Sequence, residues 1–338
     1  MDLRPKNYAE FKHVLMAHEK YSGFEAALDE EKARLSDSYT EAKEYYGNLL
    51  SDCDADNLPP YDPERDCEKD FDTITEKPGL PREKVLEFCK ANGISENAFF
   101  SGVFGYVLSN YIYRNDVTYA AIYNGRSDSR TARSVSMFVK TLPVVCRIKK
   151  EQSVSGYLKE IGKQLLDGMT HDLYSFAEIS GAYGVRSDVL FAFQGDRFVR
   201  DTLCGEQFEE IEIAPDTAKA AINMIITADA GRYTLNLEYQ TKLYNRSLMT
   251  TLSDAVFCVA EEFLSKETVG SAALIPSDKA SEILRMSEGE KLVYDDSRTW
   301  LECFREQVKA VPDSVAVEDA DSSLTYAEMD IATAKIAS

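Results

Sequence analysis

His13, His18 and His171 are the only imidazoles in the chain, and an imidazole that titrates near neutrality is the commonest general base. His18 opens the string His18-Glu19-Lys20-Tyr21-Ser22-Gly23, and His171 opens His171-Asp172-Leu173-Tyr174-Ser175-Phe176. His18 falls inside a helical pattern set by Tyr8, Phe11, Val14 and Leu15, which makes it a surface histidine of a helix rather than a base at the end of a strand. His171 follows a helical segment and reads as part of a polar loop, with Tyr174 and Phe176 turned into the core. A Ser-His-Asp triad lacks the Gly-x-Ser-x-Gly elbow, and three scattered histidines do not make a metal site. No glycine-rich phosphate loop or dinucleotide turn is present. The acid pairs Glu209-Glu210 and Asp295-Asp296 read as solvated charge.

Composition narrows the partners. The 58 acidic and 38 basic residues give a net charge of −20, which repels phosphate backbones and anionic headgroups, so neither nucleic acid nor a membrane surface is expected as a partner. No apolar run reaches the length of a spanning helix, the N-terminus lacks the apolar core of a signal peptide, and the chain is expected in the cytoplasm. Seven dispersed cysteines without a CxxC pair fit reduced thiols rather than a disulfide frame or zinc site.

The elements that must position any site follow from periodicity. Residues 7 to 50 read as helices, one apolar face being Leu28, Leu35, Tyr39, Ala42, Tyr45, Tyr46 and Leu49. A connection rich in Asp and Pro follows, with a possible strand at Phe71 to Ile74. A helix from Pro81 that buries Val85, Leu86 and Cys89 ends at Asn92-Gly93, and a core helix capped by Ser95 comes next. Val117 to Tyr123 is a buried strand, and Val154 to Gly168 an amphipathic helix. Strands are expected at Asp188 to Gln194, Gln207 to Ile213, Ala221 to Ala228 and Arg232 to Gln240, the last two as a hairpin, followed by a helix over Leu248 to Leu264. Residues 275–297 read as a linker with one short helix. Trp300 onwards reads as a helix, a strand at Ser314 to Glu318, and a helix opened by a Thr325 to Glu328 capping box.

The clearest strand is Val135 to Ile148, in which Val144, Cys146 and Ile148 face one side and Val145 and Arg147 the other. Pro143 places it at an edge or a bulge. Its Met137-Phe138-Val139-Lys140-Thr141-Leu142-Pro143 resembles the GxFVNTLPLR string of nonribosomal peptide synthetase condensation domains, with Lys140 at the asparagine position. Further strings resemble the same family in the same order. Tyr8-Ala9-Glu10-Phe11 is similar to YxDFAxW, Gly125-Arg126 to a closing GR, and His171 to Phe176 to HQDYPFE. Asp188 to Gln194 is similar to VLFxxQ. Leu324-Thr325-Tyr326-Ala327-Glu328 lies on the LTYxEL string that opens an adenylation domain.

That resemblance implies an α/β (α+β) lobe of chloramphenicol-acetyltransferase-like fold, a mixed sheet covered by helices on one face. It implies a C-terminal condensation lobe over 1–274, a linker over 275–297 and the start of an AMP-binding domain over 298–338. The parent enzyme would join a donor acyl or peptidyl thioester to an acceptor aminoacyl thioester, both on the phosphopantetheine arms of carrier proteins. ATP and magnesium would serve its adenylation domain, and this chain would bind no cofactor or metal. Met137, Phe138, Val139, Lys140 and Thr141 would line the acceptor side of the tunnel. A long cation at Lys140 either alters the tunnel mouth or reaches solvent, and its length favours solvent. The catalytic HHxxxDG loop would lie upstream: at His18 the first histidine is replaced by Ala17 and the aspartate by Ser22, leaving His18 a weak candidate. The chain is thus expected to be a fragment, inactive alone, lacking the N-terminal lobe and most of the adenylation domain, and prone to self-association through its uncovered tunnel face. Two rival readings are a stand-alone lobe that binds carrier proteins and a complete acyltransferase using His18.

Overall fold

The structure is a computed structural model that describes residues 23–54, 56–63, 69–76, 79–126, 129, 131, 134, 136–196, 202–203, 206–207, 218–229, 231–289 and 297–337. His13, His18 and Tyr8 to Phe11 lie outside the described residues, as do both acid pairs and all but the start of the strand expected from Gln207 to Ile213. The chain divides into two compact units, Met1–Lys279 and Ala280–Ser338.

The first unit opens with α1 (Gly23–Ala33) and α2 (Asp37–Leu50). It continues through β1 (Phe71–Glu76), α3 (Arg82–Asn92), α4 (Glu96–Tyr111), β2 (Asp116–Tyr123), β3 (Lys140–Arg147), α5 (Val154–Thr170) and α6 (Phe176–Tyr183). After β4 (Val189–Asp196) come a two-strand ribbon, β5 (Thr202–Leu203) with β6 (Glu206–Gln207), the hairpin β7 (Ile222–Asp229) and β8 (Arg232–Gln240), and α7 (Arg246–Phe263). The main sheet has the order β1-β8-β7-β4-β2-β3. Strands β2, β4 and β7 run parallel, while β3, β8 and β1 are antiparallel to their neighbours.

One face of this sheet carries the main core. Helix α4 is buried almost all round because β2, β4 and β8 present Tyr119, Phe191 and Tyr233 beneath it while α5 and α7 flank it. Phe104 lies at the centre, 5.1 Å from Tyr119 and 5.3 Å from Phe191 between ring centroids. A Cβ at Gly105 would stand 2.2 Å from the Cys146 sulfur, so the helix approaches β3 as closely as a residue without a side chain allows. The expected caps form: Ser95 accepts from the Ala98 amide at 3.1 Å, and Gly93 ends α3 in the left-handed region.

The expectation of helices on one face only does not hold, because the second face is also covered at the β3 end, where apolar side chains of two further helices meet it. Helices α2 and α6 bring Ala42, Tyr46, Leu50 and Ile179 onto Val145, while the outward Thr73 and Thr75 at the β1 end stay exposed. Strand β3 is one of the sheet's two edge strands, the first of the two positions, edge or bulge, that Pro143 allows. Its outer edge is closed by a side chain: Gln164 of α5 accepts from the Val145 amide (2.6 Å) and donates to the Val145 carbonyl (3.0 Å). Pro143, two residues away, turns its missing donor toward the same open edge.

Three sequence expectations fail locally. The β3 ladder starts at Lys140, not Val135, so Met137 to Val139 stand outside it. The helical segment before Leu49 is broken at Leu35, which is 90% exposed; the Ser36 hydroxyl donates to the Ala33 carbonyl (2.5 Å) and the chain restarts as α2. Leu86 lies on the exposed side of α3 because the helix meets the core through Val85 and Cys89, with Phe88 packed against Phe99.

The second unit contains most of α8 (Ser277–Ser287), then α9 (Trp300–Ala310), the antiparallel pair β9 (Val315–Glu318) and β10 (Ser323–Thr325), and α10 (Tyr326–Ala337). Phe304 is its one buried side chain among the described residues, stacked on Trp300 at 5.4 Å and near Tyr326 at 6.0 Å.

Candidate functional site

Residues of the strings 137–141 and 172–176 meet across one cleft of the first unit. Their meeting begins at Gly125, whose φ of +66° is one that residues with a Cβ rarely adopt. A Cβ there would stand 1.7 Å from the Phe138 carbonyl oxygen. The next residue, Arg126, spends its guanidinium on main-chain oxygens, donating to the carbonyls of Ser134 (3.0 Å), Ser136 (3.0 Å) and Thr131. It also covers the Phe138 ring at 4.8 Å. Gly125 and Arg126 therefore hold the segment that enters β3, and the chain joins the ladder where Lys140 pairs with Tyr123.

The opposite wall is set by the end of α5 and the start of α6. Ser175 caps α6 in a capping box with Glu178, which also accepts from the Tyr39 hydroxyl (2.6 Å) and from Arg34 (2.7 Å). Burial pushes the Glu178 carboxyl up, but the bonds from Ser175 and Tyr39 and the Arg34 charge outweigh it and hold the group below its ordinary range. Tyr174 is buried among Tyr39 and Tyr46, and Phe176 is half-buried against Ala120 and Leu190.

Between the walls lies a cleft of about 300 Å³, lined by Met137 to Leu142, by Asp172 and Tyr174 to Phe176, and by Glu30 of α1. Lys140 does not run out to solvent as expected from its length. Its ammonium lies 3.3 Å from an Asp172 carboxylate oxygen and 3.2 Å from Glu30, and donates to the Asp172 carbonyl at 3.1 Å. The Asp172 carboxyl is raised above its usual range chiefly by burial; the Lys140 charge and the Tyr123 hydroxyl oppose that rise without cancelling it. Of the apolar lining, Met137 is 88% and Val139 53% exposed.

His171 stands apart from this cleft. It follows the last turn of α5 with its ring stacked on Tyr45 (4.4 Å), and its Nδ1 lies 2.7 Å from the Asp167 carbonyl. A carbonyl only accepts, so the proton sits on Nδ1 and the ring is a packed structural element. Gln194 is exposed near the end of β4 and takes no part in the lining, while Leu324, Thr325, Tyr326 and Glu328 belong to the other unit. There Glu328 accepts from the Thr325 amide (2.9 Å) and hydroxyl (3.1 Å), completing the expected box. Sequence patterns do not single out Glu30 or Tyr123, because an ion pair spanning 110 positions leaves no local signal.

Other chemistry is scarce. The Cys146 and Cys89 thiols are each pushed up by burial to about 12, which makes them packing groups rather than nucleophiles. Among the described residues no cluster of His, Cys, Asp and Glu could hold a metal, and no helix is long and apolar enough to cross a membrane. A larger cleft of about 570 Å³, lined by Pro59 to Asp62, Tyr111, Tyr113 and Leu274, is mostly apolar and aromatic, with Asp62 the one carboxylate in its lining.

Residues 13–284 match the family model of the condensation domain, and the chain belongs to that family. It is 23% identical over 273 residues to surfactin synthase subunit 1 of Bacillus subtilis (strain 168), covering 77% of this chain and 8% of that protein. It is 24% identical over 264 residues to tyrocidine synthase 3 of Brevibacillus parabrevis, covering 73% of this chain and 4% of the relative. The chain thus spans less than a tenth of the length of these curated relatives. In fold it resembles the nonribosomal peptide synthetase FmoA3 (TM-score 0.71, 15% identity, 92% of this chain and 34% of the other). It also resembles the first condensation domain of the calcium-dependent antibiotic synthetase (TM-score 0.61, 14% identity, 76% and 59%).

Proposed function

We propose that residues up to about the start of the linker form the C-terminal lobe of a nonribosomal peptide synthetase condensation domain. In this reading the lobe contributes a tunnel wall and a carrier-protein docking surface to amide formation between a carrier-bound acyl or peptidyl thioester and a carrier-bound aminoacyl thioester. The observation that carries the reading is the convergence of Met137 to Thr141 and Asp172 to Phe176 on one cleft, in a chain of the condensation family. The exposed apolar side chains of Met137 and Val139 suit the aliphatic stretch of a phosphopantetheine arm, which arrives with the carrier protein as part of the substrate.

Residues 298–338 are read as the opening of an adenylation domain, so ATP and magnesium would be handled by parts of that domain outside these residues. No catalytic base is assigned to the described residues, since His171 is stacked on Tyr45 and bonded to a carbonyl away from the cleft. That observation favours binding without turnover by the chain alone; a cytoplasmic setting and self-association through the tunnel face are further parts of the proposal that rest on the family reading.

Titrating the chain with a holo carrier-protein domain by calorimetry, beside an acyl-transfer assay, tests the reading. Binding with no transfer is expected. Transfer by the chain alone that disappears in His18→Ala would replace this reading with a complete acyltransferase, and absence of both binding and transfer would remove the lobe's role.

A further inference from the structure

We infer that Lys140 and Asp172 are a positioning pair: their contact, rather than apolar packing, holds the Met137–Thr141 wall of the cleft against the Asp172–Phe176 wall, and Glu30 extends it to helix α1. The inference deepens the functional reading and rests on it for the importance of the cleft, though not for the existence of the pair.

Four observations carry it. The Lys140 ammonium reaches a carboxylate and a carbonyl of the same residue, Asp172, so it fixes both the side chain and the main chain of the α5–α6 turn. Both side chains are largely withdrawn from water, Lys140 at 26% and Asp172 at 17% exposure, which protects the pair from screening. Apolar packing cannot substitute for it on the Lys140 side, because Met137 and Val139 next to it are exposed. Helix α1 buries no described side chain against the unit and meets it through Glu30, with Arg34 just beyond its end bonding Glu178.

The residue types support a matched change. The condensation strings quoted above place an asparagine where Lys140 stands and a glutamine where Asp172 stands. In this chain a cation and an anion stand at those two positions, and the two charges touch. An uncharged amide pair would hold at any pH, whereas this pair depends on the ionisation of Asp172. The groups that face that carboxyl are Lys140 from β3, Glu30 from α1 and the Tyr123 hydroxyl from β2, with Tyr46 of α2 nearby.

Hydrogen exchange of the full chain, read by mass spectrometry over residues 136–142 and 171–176, tests the pair without any carrier protein. Lys140→Met and Asp172→Asn are expected to speed exchange in both segments by on the order of tenfold, the scale of a lost charge-assisted bond. Exchange in α4 should not change. The double variant Lys140→Asn with Asp172→Gln should return both segments to near the parent rate. Should the single variants fail to fold, the unaltered chain supplies the second reading: corrected for intrinsic rates, protection of both segments should fall as acid protonates Asp172, and the double amide variant should lack that fall. Single variants that exchange like the parent, or a parent whose two segments keep their protection through the acid range, would overturn the inference. Because no carrier is involved, a failure here is separable from a failure of the proposed function.

Discussion

The Phe138 carbonyl oxygen lies against Gly125 so closely that a Cβ added there would stand 1.7 Å away. That contact, made by a residue at φ +66°, turns a two-letter sequence string, Gly125-Arg126, into a mechanical support for the cleft. Strain and overlap act together at this position. Gly125→Ala is expected to destabilise the first unit by at least about 2 kcal/mol, measured as a shift of the urea midpoint at unchanged slope. A shift within error would mean the 136–139 segment is held by something else.

Arg126 should not be replaceable by lysine. Its guanidinium reaches three main-chain oxygens at once and lies over a ring, a geometry that a single ammonium cannot reproduce. Arg126→Ala is expected to cost about 1–3 kcal/mol, and Arg126→Lys to recover little of it in the same urea titration. Full recovery by lysine would show that only the charge matters.

Phe104 sits where α4, β2 and β4 meet. Removing its ring leaves a cavity among rigid neighbours, so Phe104→Ala should cost about 3–5 kcal/mol, the largest single loss among these substitutions. Calorimetric unfolding of the variant checks it.

Acid sensitivity is expected at the α6 cap. The Glu178 carboxyl is held below its ordinary value in the folded chain, so the unfolded chain binds its proton more readily. The stability this provides is present above the ordinary glutamate range and is lost as pH falls through the folded value. Glu178→Gln should lower stability at neutral pH and flatten the acid limb of the stability profile. An unchanged limb would mean that other carboxylates control it.

Trp300 is the one tryptophan of the chain and stacks on Phe304 in the second unit. With a single buried side chain among its described residues, that unit has little apolar area to resist unfolding. Tryptophan emission should change at lower urea than the far-ultraviolet circular dichroism of the larger unit. Coincident transitions would show that the two unfold as one.

The sequence made elements legible wherever one period ran without competition. The α4 and α5 faces, the β7–β8 hairpin and the edge position of β3 all appear as periodicity and turn chemistry predict. It misled where a local cap overrode the pattern, as at Leu35, and where a strand-like composition continued past the ladder, as at Met137 to Val139. The cleft was legible only as two separate strings. Glu30, Tyr123 and the fate of Lys140 depend on which distant groups the fold brings within about 3 Å of one another, and no local rule contains that.

The central claim is that the cleft between Met137 and Phe176 receives a carrier-borne arm. Methionine-methyl NMR on the full chain reports on it directly, with the Met137 signal assigned through Met137→Leu. Addition of a holo carrier-protein domain is predicted to shift the Met137 methyl, and the apo carrier, without its arm, to leave it in place. A Met137 signal that responds equally to both forms, or to neither while the carrier binds, would contradict the account.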